Sequence, residues 1–221
     1  MSDLLVISPG GRRKRPDLGP LPAAERYDGP HHRLVMNGVS TLRSAGLQVE
    51  VQFLSPKWGL VEEGEPLFDY DLALAALGRA AATAHLAALR LPEALATAIA
   101  RAPLAVLLLP GKYLSPLRAL AGGAGSAARA TTGPLGFLQP PSGGRLLAFV
   151  APSEHLTGPQ VTTIHCDPAL TGPFHAPNTA LKGRLFQALA GGIALDPDPA
   201  LAALRSDPTP QTAWRLIDQG R

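Results

Sequence analysis

A chain of 221 residues, 46% of them apolar, is long enough to close a real core as one large domain or two small ones. Its formal net charge of +3 excludes the dense basic surface of a dedicated nucleic-acid coat, though a local patch can still hold phosphate. The one cysteine, Cys166, excludes an internal disulfide, and no apolar run reaches the roughly 18 residues of a membrane span.

Leu4 to Ser8 is a short apolar run ending in Pro9-Gly10-Gly11, which predicts a buried strand that opens into a loop. Leu4-Leu5-Val6-Ile7 is too short for the core of a signal peptide, and Leu72 to Leu91 is interrupted by Arg79, His85 and Arg90. A cytoplasmic protein with no membrane partner is expected. Arg12 to Ala24 is polar and proline-rich, hence loop. Asp28-Gly29-Pro30 predicts a helix start with Asp28 as cap, the helix running to about Ala45 and stopping at Gly46. Leu47 to Leu54 alternates apolar and polar residues and predicts a strand, closed by the loop Ser55-Pro56-Lys57-Trp58-Gly59. Asp71 to Leu89 predicts an alanine-rich helix capped by Asp71, and Pro92 separates it from a second helix ending at Arg101. Ala105 to Leu109 predicts another buried strand, then Pro110-Gly111-Lys112-Tyr113 and a short helix to about Leu120. Gly122 to Gly133 predicts a mobile loop, and Leu146 to Val150 and Gln160 to His165 two further strands. From Asn178 onward the chain reads as helical, in pieces broken at Pro197, Pro199 and Pro208-Thr209-Pro210.

Continuous apolar strands alternating with helices predict an α/β fold with a mostly parallel sheet, helices on both faces and a helical C-terminal segment. Residues 1–140 read as the α/β core that carries the strand-end loops. Residues 141–221 read as an extension that completes the sheet or forms a small helical lobe. In such sheets the loops leaving the carboxyl ends of the strands meet at a ligand crevice.

Those loops hold most of the lysines. Arginine is the default cation here, 16 residues against four lysines, and each lysine stands beside glycine or proline or in a short turn-like motif. Lys14 follows Gly10-Gly11-Arg12-Arg13, Lys57 sits in Ser55-Pro56-Lys57-Trp58, Lys112 in Pro110-Gly111-Lys112-Tyr113 and Lys182 in Leu181-Lys182-Gly183-Arg184. A compact ammonium is not replaced by guanidinium, so these positions are where a site is sought. The plainer reading is exposed loops. Lys14, Lys57 and Lys112 each follow a predicted strand and so fall on one rim.

Pro9-Gly10-Gly11-Arg12 after a strand can present N–H groups and cations to an anion, with Arg12, Arg13 and Lys14 holding phosphate. No Walker loop, dinucleotide fingerprint or nucleophile elbow is present, and no cofactor is expected. His165-Cys166-Asp167 with His175 fits no standard zinc spacing, so no metal is expected, and Cys166 reads as a small buried residue at a strand end. His31-His32 at a helix start can donate to phosphate or move a proton, or be simply an exposed pair. Glu62 to Asp71 is an acidic stretch in which Asp71 either caps a helix or orients Lys57. Trp58 either stacks on a base or packs as a lid.

Five motifs occur in order: Leu5-Val6-Ile7-Ser8-Pro9-Gly10-Gly11-Arg12-Arg13-Lys14, Tyr27-Asp28-Gly29-Pro30, Leu54-Ser55-Pro56-Lys57-Trp58-Gly59-Leu60, Tyr70-Asp71-Leu72 and Pro110-Gly111-Lys112-Tyr113. In this order, over residues 4–120, the chain resembles a bacterial family related to the YaaA-type peroxide-stress proteins. The first motif is also similar to the Pro-Cys-Ser-x-x-Lys domain of archaeosine synthase. Lys182-Gly183-Arg184 is loosely similar to a basic helix near the end of YaaA proteins. Gly10 stands at the relatives' cysteine position and Arg12 at a following lysine-like position. The resemblance implies nucleic acid or nucleobases as partner, in a DNA-damage or oxidative-stress setting.

Three functions are weighed. In the first, the chain acts on a base, a nucleotide or a glycosidic bond: Lys57, Asp71 and Tyr113 supply the chemistry, Tyr27 and Trp58 position the base, and Gly29, His31, Ser55, Gly111 and Lys112 complete the pocket. In the second, it is a non-catalytic DNA- or RNA-binding stress protein, with Lys182, Arg184, Arg205 and Arg215 on the backbone. In the third, it is a protein-interaction domain.

Overall fold

The computed structural model describes residues 2–16, 19–123, 138, 140, 144–154, 156, 158, 160–207 and 209–221. Strand β1 (Leu4–Pro9) lies inside the sheet, and its alternating side chains explain why it reads as a continuous apolar run. Leu4 and Val6 enter the core on one face, Leu5 and Ile7 the core on the other, and all four are at most 1% exposed.

After β1 come the short β2 (Leu21–Pro22), α1 (Ala23–Arg26), α2 (Pro30–Ser44), β3 (Val49–Ser55), β4 (Gly59–Glu62) and β5 (Pro66–Leu67). Helices α3 (Arg79–Ala88) and α4 (Leu91–Arg101) lead to β6 (Leu104–Leu107), and α5 (Gly111–Gly123) follows. Then come β7 (Arg145–Val150), β8 (Val161–His165), α6 (Leu181–Leu195), α7 (Pro197–Ser206) and α8 (Pro210–Gln219). The main sheet has the order β4-β3-β1-β6-β7-β8, parallel throughout except for β4, which pairs antiparallel with β3. The architecture is α/β with a mostly parallel sheet. Both β7 and β8 extend that sheet. Helices α2, α6 and α8 contribute to the core on the face of Leu4 and Val6, and α3, α4 and α5 to the core on the face of Leu5 and Ile7. No described helix is long and apolar enough to cross a membrane.

Three local expectations are corrected. Asp71 does not start a helix: Leu74–Ala76 is a single 3-10 turn, and α3 begins at Arg79 after Gly78. The alanine-rich window continues back past the true start, so composition alone misplaces it. The loop after β3 closes a hairpin, and Gly59–Glu62 is a strand where none was expected: β4 pairs Val61 with Phe53 and Leu60 with Leu54. Lys182-Gly183 lies in the first turn of α6, not in a surface turn. Gly183 is small because α2 crosses there: a Cβ would lie 2.9 Å from the His31 carbonyl oxygen and 3.0 Å from its Nδ1. Residues 124–133 of the expected loop lie outside the described residues, while Gly122 and Gly123 end α5.

Candidate functional site

The chain leaves β1 for β3 through α2 on one face, and reaches β6 through α3 and α4 on the other. The connections after β1 and β6 therefore diverge and leave a crevice beyond the strand ends, the general ligand position of doubly wound sheets. A cavity of about 520 Å³ opens there, within the range of small-molecule sites. Its walls are the β1 loop (Pro9 to Arg13), the start of α2 (Gly29 to His32), the exit of β6 (Leu108, Pro110 and Lys112) and the entry to α6 (Asn178, Thr179 and Lys182).

The β1 loop is held from below. The Gly10 N–H donates to the Leu54 carbonyl at 2.8 Å. A Cβ on Gly10 would lie 2.6 Å from Cζ and from the hydroxyl oxygen of Tyr27, so the loop rests directly on that ring. Tyr27 is itself fixed. Its ring packs edge-on against Phe53 at 5.7 Å between centroids, and its hydroxyl shares a 3.0 Å hydrogen bond with Tyr70. Arg26, fully buried, donates from Nε and Nη2 to the Leu67 carbonyl at 3.1 and 3.0 Å and from Nη1 to Arg15 at 2.7 Å. It ties the long loop to β5.

At the start of α2, Asp28 is not the cap. The N-cap is Gly29, no side chain caps the helix, and no acidic residue stands in its first turn. Asp28 instead pairs with Arg13 at 3.6 Å and with Arg33 at 3.1 Å. The positive end of a 15-residue helix therefore opens into the crevice with no side-chain cap and no acidic residue in its first turn, the nearby Asp28 being engaged by Arg13 and Arg33.

Side-chain charge has the same sign. Arg12, Arg13, Lys112 and Lys182 line the cavity, and no carboxylate does among the described residues. Among the described residues only Arg13 of these has an ion-pair partner, Asp28. Lys182 reaches across from α6 and donates from Nζ to the Leu109 carbonyl at 2.6 Å. Burial lowers the Lys182 pKa, while the Cys166 thiol and the Glu154 carboxylate pull it up. Burial also lowers Lys112, and Arg12 adds to the effect. His31 is pushed down to about 4 by burial, then by Lys182 and His32, so its imidazole is neutral at neutral pH. Its Nε2 lies 3.2 Å from the Ser8 hydroxyl. The arrangement suits an anion, with one neutral imidazole beside it able to accept a proton.

The crevice thus gathers Gly10, Gly11, Arg12, Arg13, Gly29, His31, Lys112 and Lys182 of the expected residues. Gly111 stands at the first position of α5 beside it, close to Glu154. The others lie elsewhere. Lys14 turns under the loop, its Nζ 4.0 Å from the centre of the Tyr70 ring. Burial lowers the Lys14 pKa, with Asp69 and Asp71 opposing and Arg26 adding to the effect. The Ser55 hydroxyl donates to Tyr70 at 2.9 Å and accepts from the N–H groups of Lys57 at 3.3 Å and Trp58 at 3.1 Å, which shapes the hairpin turn. Lys57 Nζ lies 4.7 Å from the Trp58 ring centre, and Trp58 is 42% exposed. Lys57 and Asp71 form no ion pair among the described residues and both are exposed. Tyr113, in the first turn of α5, is buried in the core, where burial raises its phenol. Arg184 lines a smaller cleft of about 380 Å³ between α2 and α6 and donates to the Phe174 carbonyl at 3.3 Å. No group of three or more His, Cys, Asp and Glu able to hold a metal ion stands together among the described residues.

Sequence reasoning missed Arg26, Ser8, Asn178 and Thr179. A buried arginine that donates to carbonyls of other segments has no local signature. Asn178 and Thr179 do have one, as polar residues after Pro177 at the entry to a helix. No family model, curated protein or solved structure matches the chain.

Proposed function

We propose that this chain is a nucleotide- or nucleobase-directed protein that holds its ligand by phosphate in the crevice between the ends of β1 and β6. The observation that carries the reading is a cavity whose charged lining is all of one sign. Arg12, Lys112 and Lys182 face the uncapped start of α2 across a cavity lined by no carboxylate among the described residues. Pro9, Pro30, Leu108 and Pro110 offer apolar surface for a base or ribose beside it. The ordered resemblance to YaaA-type proteins supports nucleobase chemistry and a DNA-damage or oxidative-stress role as the setting.

Binding is supported better than bond cleavage. Glycosidic hydrolysis draws on paired carboxylates, and the crevice lining has none among the described residues. A cysteine at position 10, as in the resembled proteins, would drive its Cβ to 2.6 Å from Tyr27. Any proton transfer falls to His31, which is neutral and adjacent.

A second reading is a nucleic-acid strand lying across the rim. Exposed Trp58 with Lys57 beside it favours this, since an open indole flanked by a cation can stack a base. Binding of mononucleotides and of single- and double-stranded DNA and RNA across a salt series separates the two. Mononucleotide binding lost in a Lys182→Met variant supports the first. Binding confined to polymers and lost in Trp58→Ala supports the second. Absence of binding to every probe at low salt would sink both.

A further inference from the structure

The charge in the crevice exceeds what one phosphate neutralises, and its distribution has two centres. One is the start of α2 with His31 and Lys182: Gly29 to His32 form the wall, and the Lys182 charge is felt at His31. The other is Arg12 on the β1 loop with Lys112 on the first turn of α5, near enough that Arg12 acts on the Lys112 ammonium. Four separate elements thus deliver positive charge into one cavity. Among the described residues three of the four cations form no ion pair, although the Glu154 carboxylate acts on Lys182, and the fourth, Arg13, shares Asp28 with Arg33.

A phosphate monoester brings about −1.5 to −2 at neutral pH and each further linked phosphate adds about one charge. The α2 terminus alone supplies about half a positive charge. A single phosphate at that terminus leaves Arg12 and Lys112 without an anion. A second phosphate linked to the first continues toward them. The apolar walls at Pro9, Pro30, Leu108 and Pro110 leave room for the nucleoside within about 520 Å³.

We infer that the crevice is built for two or more linked phosphates, so that its ligand is a nucleoside di- or triphosphate rather than a monophosphate. This rests on the nucleotide reading above. One phosphate lies at the start of α2 with Lys182 and His31, and the next lies between Arg12 and Lys112.

Calorimetric titration of the full chain in metal-free buffer at fixed salt tests it. The probes are AMP, ADP, ATP, inorganic phosphate, pyrophosphate and the 5′-phosphorylated dinucleotide pApA, with guanine and cytosine series alongside. Affinity is expected to rise at least about tenfold from the mono- to the diphosphate of a given base, and likewise from phosphate to pyrophosphate. Lys112→Gln, at an exposed position, should erase that step while monophosphate affinity stays within about threefold. Arg79→Gln, which removes an exposed charge on α3 outside the crevice, should leave the step intact. Mono- and diphosphates binding within about threefold of one another would overturn the inference and leave the nucleotide reading standing. So would pApA binding more tightly than every diphosphate. Failure of all nucleotides and of pApA to bind would overturn both.

Discussion

Two groups of cations flank the β1 loop, and they differ in what they face. On the β3 side, Lys14 lies 4.0 Å from the Tyr70 ring centre and Lys57 lies 4.7 Å from that of Trp58, and Asp69 and Asp71 act on Lys14. On the β6 side, Arg12, Lys112 and Lys182 line a cavity with no carboxylate among the described residues. The first group finds its partners within the chain. In the second, Lys112 lies 5.8 Å from the Tyr113 ring centre and Lys182 donates to the Leu109 carbonyl, yet both still line the open cavity beside Arg12. Lysine and arginine count alone does not distinguish the groups; what distinguishes them is that only the second lines the cavity.

The largest expected effect comes from the residue that joins the two regions. Gly10→Cys places a Cβ 2.6 Å from a tyrosine ring that is fixed by Phe53 and bonded to Tyr70. Overpacking of this kind costs about 1–3 kcal/mol, so the thermal midpoint should drop by several degrees in calorimetry. An unchanged midpoint would mean that Tyr27 moves freely and that the loop does not rest on it.

Lys182→Met tests the β6 side alone. Removing a partly buried ammonium that donates to the Leu109 carbonyl but forms no ion pair among the described residues should cost about 1–3 kcal/mol of stability in urea denaturation. Nucleotide affinity should fall about tenfold or more in the same protein. Lost stability with affinity retained would make Lys182 a tether for Leu109 and nothing else.

The pH response follows from His31. Its native pKa is pushed to about 4, from an ordinary value of 6.5. The unfolded chain therefore takes up a proton over that window while the native chain does not. Stability is full above about 6.5 and falls as pH drops toward 4. His32, lowered chiefly by burial, acts in the same direction. His31→Gln should flatten part of this slope in urea midpoints measured across the window. Saturating nucleotide should flatten it in the wild type, because an anion beside the imidazole raises its pKa. A slope identical in the variant would remove His31 from the account.

Trp58→Ala should have the smallest effect on stability, within about 0.5 kcal/mol for an exposed side chain. Mononucleotide affinity should be unchanged. If single-stranded nucleic acid binds across the rim, its affinity alone falls, by about 1–3 kcal/mol per stacked base.

Much of the frame was legible in the sequence because β1, β6 and β7 are continuous apolar runs and α2 is bounded by Pro30 and Gly46. That gave parallel strands with their loops on one rim, and so the β1 and β6 loops of the crevice. What lay hidden were matters of partnership across the fold. Lys14 stands two residues after Arg12, yet it turns to Tyr70 while Arg12 faces the cavity. Lys57 and Asp71 seemed a pair by motif, but the hairpin and the late start of α3 leave them without an ion pair. Lys182 looked like a turn residue because Gly183 follows it, whereas that glycine serves the close passage of α2. Neighbours in sequence do not report such contacts.

The most direct test is an amide and imidazole NMR titration of the labelled chain with ADP and with pyrophosphate. The account predicts shifts concentrated at Gly11, Arg12, His31, His32 and Lys112, with little change at Lys57 and Trp58. Shifts confined to Lys57 and Trp58, or none at millimolar ligand, would contradict it.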